Sequence, residues 1–297
     1  DNTGLVSNTA EIDINVNRVT FKTTETFNSQ VDSLNGVDIV WVIDNSGSMS
    51  DEQATLQANF DSFINNFLVD GKARFKFNMA ITVTDAYRLP TGSNPFATDS
   101  AGNTYDLSST KAEADFASFK RDFVSAVNVG LDGSGTERPF QSITSAYALD
   151  PNWYSDNKNL LVYILLTDEG EQTPGTVANF HDQIKILKDS PEKVLVYPIV
   201  RNDSGNRFAQ IAQLTGTQTY NIDAPFSNVL DNISLSVSSK IKSYDLNKGV
   251  NIVPSSVSVT INGVASTEFT YSNNAITLTN APEGTATIVV SYSYGTL

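Results

Sequence analysis

Three short apolar runs constrain this chain more than any other feature. Val37–Ile43, Leu160–Leu166 and Val194–Val200 have strand length and are rich in Val, Ile and Leu. Runs of this kind suit strands buried on both faces. Between them lie segments with helical spacing: Leu56, Phe60, Phe63, Ile64, Phe67 and Leu68; Phe116, Phe119, Phe123 and Val127; Val177, Phe180, Ile184 and Leu187. Pro139 suits a first helical position ahead of Ile143 and Tyr147. A short helix through Phe208, Ile211 and Leu214 ends at Gly216, and Phe226, Val229, Leu230, Ile233, Val237 and Ile241 mark a closing helix. Phe75–Val83 and Gln218–Ile222 read as further strands. The alternation predicts an α/β fold: a doubly wound, mostly parallel, Rossmann-like sheet flanked by helices. Ligands of such sheets bind outside the carboxyl ends of the strands, where the strand order reverses.

Two capping-box patterns, Ser50 with Gln53 and Thr110 with Glu113, predict helix starts. The polar segment at 86–109, with Pro90, Gly92, Pro95 and Gly102, is too long for a plain connection and is a candidate specificity loop. Beyond about Ser243 the pattern changes to period two: Val257, Val259 and Ile261, an Asn262-Gly263 turn, Ile276 with Leu278, then Ile288, Val290, Tyr292 and Tyr294. Near the start Ile12, Ile14, Val16, Val19 and Phe21 alternate likewise. Neither stretch buries a generous core alone. The expected organisation is an α/β domain over 36–243, inserted into a small, discontinuous, all-β, sandwich-like module formed by 1–35 and 244–297.

The 297 residues carry 33 Asp plus Glu against 19 Lys plus Arg, a net charge of −14. That field repels nucleic acid and anionic membranes. With no cysteine and a single histidine, His181, the chain has no thiol chemistry and no multi-His zinc site. No run reaches the roughly 18 apolar residues of a transmembrane helix. The opening Asp-Asn-Thr-Gly reads as the start of a mature or trimmed chain. The acidic, cysteine-free, Ser/Thr/Asn-rich texture suits a bacterial envelope or secreted protein.

The chemistry concentrates where the apolar runs end. Val37–Ile43 leads into Asp44-Asn45-Ser46-Gly47-Ser48, and Leu160–Leu166 leads into Thr167-Asp168. Gly133-Ser134-Gly135-Thr136 adds a hydroxyl on a glycine-flanked loop. Carboxylates and hydroxyls without nitrogen or sulfur suit a hard cation. A helix cap and turn would use the same residues near Asp44. A hydrolase elbow needs Gly where Asp44 stands, and an EF-hand needs Gly where Met49 stands. His181, beside an apolar stripe, reads as a helix-shoulder residue, Trp41 as core and Asp132 as a solvated loop acid.

In these motifs the sequence resembles a von Willebrand factor A domain with a metal-ion-dependent adhesion site, over about 36–243. The Asp-x-Ser-x-Ser motif matches Asp44, Ser46 and Ser48; the loop threonine matches Thr136; the aspartate after the later strand matches Asp168. The resemblance implies a divalent cation, Mg2+ with Mn2+ or Ca2+ as substitutes, held directly by the two serines and the threonine. It implies aspartates acting through water and an open position for a ligand carboxylate. Glu169 stands where many relatives have glycine, and Glu171 is expected to add acidity to the same rim. The implied function is non-enzymatic: cation-dependent adhesion, outside the cell, at its surface or in the periplasm, to a protein or glycan bearing an acidic group. The alternative is a metal-assisted hydrolase, or a subunit of a larger enzyme, with Glu169 or Glu171 as base.

Overall fold

A computed structural model describes residues 20–28, 36–85, 94–157, 159–201, 203–241, 243–246, 251–272, 274–279 and 286–295. Its strands are β1 (Thr20–Asn28), β2 (Gly36–Ile43), β3 (Leu68–Val69), β4 (Lys72–Ala73), β5 (Lys76–Val83), β6 (Leu107–Ser108), β7 (Asn159–Thr167), β8 (Val194–Val200), β9 (Tyr220–Asn221), β10 (Ser243–Asp245), β11 (Ser258–Ile261), β12 (Val264–Ser266), β13 (Phe269–Ser272), β14 (Ala275–Leu278) and β15 (Thr287–Gly295). The helices are α1 (Ser50–Ile64), α2 (Ser109–Ala114), α3 (Phe116–Ala126), α4 (Pro139–Leu149), α5 (Val177–Ile184), α6 (Arg207–Leu214) and α7 (Phe226–Ile241).

The expected α/β architecture is present. Six strands form a sheet in the order β6-β5-β2-β7-β8-β9, parallel throughout except for the β5–β6 pair. Alternate side chains of β2 feed two cores. Val37, Ile39, Trp41 and Ile43 pack with Phe60, Phe123 and Ile233 from α1, α3 and α7. Val40 and Val42 pack with Phe140, Phe180 and Phe208 from α4, α5 and α6. Because β2 lies between β5 and β7, connections leave its neighbourhood in opposite directions, and the loops after β2 and β7 meet at the switch in strand order.

Both expected capping boxes give way to other bonds. A short 3-10 turn at Gly47–Met49 leads into α1, which has no side-chain cap. Gln53 instead donates to the carbonyls of Asp44 (3.1 Å) and Gly130 (3.0 Å), satisfying two loop acceptors from one buried amide. Ser108, not Thr110, caps α2, and Glu113 accepts the Ala73 N–H at 2.8 Å. Asp115 then interrupts the helix and caps α3 through the Ser118 N–H. The described part of the 86–109 segment is not a plain loop. Phe96 is buried, Thr98 bridges Thr104, and β6 extends the sheet beyond β5. Pro90 and Gly92 lie outside the described residues.

At the chain ends β1 pairs antiparallel with β15 from Thr20↔Gly295 to Asn28↔Thr287, in a sheet ordered β1-β15-β11-β12. A smaller sheet, β10-β14-β13, joins it around Tyr244, Val259, Ile276, Ile288 and Val290. The Asn262-Gly263 turn has positive φ at both residues, as a tight hairpin requires. Ile12, Ile14, Val16 and Val19 lie outside the described residues.

Candidate metal centre

At the carboxyl end of β2, Asp44 is completely buried. One carboxylate oxygen accepts the Ser46 N–H at 2.7 Å and the other the Thr167 hydroxyl at 2.6 Å. Both partners are neutral. Burial raises its pKa, opposed by those hydrogen bonds, and the nearby Asp168 adds to the rise. From Ser46 a line of hard oxygens continues: its Oγ lies 3.1 Å from Ser48 Oγ, which donates to Asp168 Oδ1 at 3.1 Å. Four of the five expected residues are thus assembled from the ends of β2 and β7.

Thr136 stands on the adjoining loop. Among the described residues its hydroxyl bonds to none of those four. The loop is nevertheless fastened to the site: Gly133 N–H donates to Asn45 O at 2.7 Å, Ser134 N–H to Asp85 Oδ2 at 3.0 Å, and Gln172 N–H to Glu137 O at 2.9 Å. A Cβ on Gly133 would lie 2.6 Å from the Asn45 carbonyl oxygen, so this approach requires glycine.

Two important residues escaped the sequence reading. Glu137, next to Thr136, is fully buried; one oxygen accepts the Thr84 hydroxyl and the other has no hydrogen-bond partner. Burial, then the negative charges of Asp44, Asp85 and Asp168, push its pKa up to about 7. Arg201, the first residue after β8, donates to Asp168 Oδ2 (3.1 Å), Glu52 Oε1 (2.7 Å) and Asp223 Oδ1 (2.9 Å). Asp223 and Glu52 hold it firmly in the charged form. The available signal was its place: like Asp44, it follows an apolar run directly, as Thr167-Asp168 follows another.

Glu171 is a correction. Its side chain is buried and bonded to Arg207 Nε at 2.7 Å, while Arg207 also caps the carbonyls of Thr173 and Gly175. Glu171 therefore braces the loop after β7 instead of adding acidity to the rim. Glu169 is exposed, as is Asp132. Trp41 is core, edge-on to Phe63 at 5.1 Å. His181 lies half-buried on α5, its pKa lowered by burial and by Lys185.

The donor set fits a hard divalent cation. A buried carboxylate with only neutral partners, beside two hydroxyls and a second carboxylate, leaves negative charge uncompensated. Among the described residues no three Asp, Glu or His side chains gather around one metal-sized position. Any cation here would rely on two carboxylates plus hydroxyls and water, the pattern that Mg2+ accepts.

No family model matches the sequence, and no curated protein matches it. Similar solved structures include a von Willebrand factor type A protein from Catenulispora acidiphila, at 13% identity and TM-score 0.45, covering 94% of this chain and 66% of that one. The pilus adhesin SpaC from Lactobacillus rhamnosus GG, in its open conformation, gives 13% and 0.44 over 92% of this chain and 42% of that one. Proximal thread matrix protein 1 of the mussel byssus gives 13% and 0.45 over 70% of this chain and 49% of that one. This chain spans less than two thirds of each. No activity or partner passes from them to this chain.

Proposed function

We propose that this chain is a cation-dependent binding module and not an enzyme. The single observation that carries the reading is Asp44: a buried carboxylate at the sheet's switch point, bonded only to neutral donors and continuous through Ser46 and Ser48 with Asp168. Asp44, Ser46, Ser48 and Asp168 would hold the ion, with Thr136 joining from its tethered loop. A bound Mg2+ would supply a positive charge with an open coordination place for a partner's carboxylate. The side chains here would position that ion. The chain-end β sheets form a module into which the 36–243 domain is inserted. The partner is an acidic protein or glycan, and the setting is a bacterial surface, the periplasm or the extracellular space.

The hydrolase alternative loses one of its two expected bases, since Glu171 is spent on Arg207, and keeps only the exposed Glu169. Glu137 has a pKa suited to proton transfer, yet it is fully buried and closed to solvent. Arrays of acidic peptides and acidic glycans, probed with the protein in Mg2+ and then in EDTA, test the reading. Carboxylate-bearing probes should be retained only with Mg2+, and Asp44→Ala should lose them. Retention that ignores both EDTA and the substitution would contradict it, and probe cleavage would revive the hydrolase.

A further inference from the structure

The guanidinium of Arg201 is anchored before it reaches the site. Its Nε lies 3.2 and 3.3 Å from the two Asp223 oxygens, Nη2 donates to Asp223 and Glu52, and only Nη1 extends to Asp168 Oδ2. The planar fork on Asp223 fixes the plane of the group, which a lysine could not reproduce. Asp168 is thereby divided. Oδ2 is taken by a cation built into the chain, while Oδ1 faces Ser48 and the line of oxygens leading to Asp44.

That division matters for an ion's choice of ligands. Ca2+ takes six to eight oxygens, often with carboxylates binding through both oxygens; Mg2+ accepts one or two carboxylates through single oxygens and keeps its waters. We propose that Arg201 sets the cation preference of this site: by holding Asp168 Oδ2 it leaves only Oδ1, the oxygen that also accepts from Ser48, to bind an ion directly, in place of the water-mediated contact the resemblance implies, and so favours Mg2+ over Ca2+. The inference rests on the cation-site reading above. Arg201 is a positioning residue here, acting on the ion through Asp168.

The preference, not the affinity, is the measurable quantity. Removing a positive charge strengthens binding of any divalent cation, but Mg2+ and Ca2+ carry the same charge, so that contribution cancels in their affinity ratio. Calorimetric titration of the whole chain with each metal alone gives the ratio. Arg201→Gln should shift it toward Ca2+ by about tenfold, the effect of about 1.4 kcal/mol. Asp223→Asn, which loosens the anchor without touching Asp168, should shift it the same way by a smaller factor and decides the matter should Arg201→Gln fail to fold. A ratio unchanged in the folded variants, with Asp44→Ala abolishing binding of both metals, would overturn the role of Arg201 alone. Undiminished binding by Asp44→Ala, or no binding by the unaltered chain, would overturn the cation site and this inference together.

Discussion

Strand β2 has a buried aspartate at each end, and the two are treated in opposite ways. Near its start Asp38 meets Lys188 Nζ at 2.9 Å, with both side chains almost wholly buried, and Asn159 donates to its other oxygen. Lys188 spends its remaining donors on the carbonyls of Tyr154 and Asp156, so the ion pair is closed and satisfied. Just past the other end Asp44 meets, among the described residues, neutral donors: the Ser46 N–H and hydroxyl and the Thr167 hydroxyl. A buried charge without a partner is costly, and chains pair such groups or use them. The closed end is internal architecture; the open end is where the proposed cation would sit.

Breaking the closed end should produce the largest effect. Lys188→Met leaves Asp38 buried and unpaired, and urea unfolding should show a loss of about 3–5 kcal/mol. Added Mg2+ should not repair that loss, because the proposed ion site lies at the other end.

The open end should reveal itself through pH. Glu137 has a folded pKa of about 7 against an ordinary 4.5. Between those values the folded chain keeps a proton that the unfolded chain has released. Its contribution is therefore fully present below about pH 4.5 and is lost as pH rises through about 7, on the order of 3 kcal/mol in all. Metal-free stability should fall across that window, and Glu137→Gln should remove most of the slope. Asp44, also raised, contributes in the same direction.

The smallest effect belongs to Thr136. Its hydroxyl supports no described bond in the cluster, so Thr136→Ala should change the thermal midpoint little, by less than about 1 kcal/mol of stability. The same variant should weaken Mg2+-dependent retention of acidic probes. Equal loss of folding and of binding would make Thr136 a structural residue.

The contrast between the two ends also explains what the sequence made legible. Asp44, Ser46 and Ser48 are neighbours in the chain, and Asp168 comes one residue after an apolar run, so local pattern placed them at one rim. The parallel sheet was legible for the same reason, since buried strands announce themselves by composition. The Asp38–Lys188 pair spans 150 residues and depends on how the loops close beneath the sheet; a lone acid inside an apolar run was its sole trace. Glu171 misled because its neighbours in sequence are polar, whereas its partner Arg207 arrives from α6. Gln53 and Glu113 fitted capping patterns, but nearby loop carbonyls and a β4 N–H were better placed than their own helix ends.

Asp44 is left without a compensating charge where the proposed divalent cation would sit. Calorimetric titration of the whole chain with Mg2+, beside Asp44→Asn, tests that site most directly. The unaltered chain should show saturable one-site binding, Asp44→Asn should lose it, and the variant's metal-free stability should equal or exceed that of the parent, because a buried charge has been removed. Undiminished Mg2+ binding by a folded Asp44→Asn chain would contradict the proposed site.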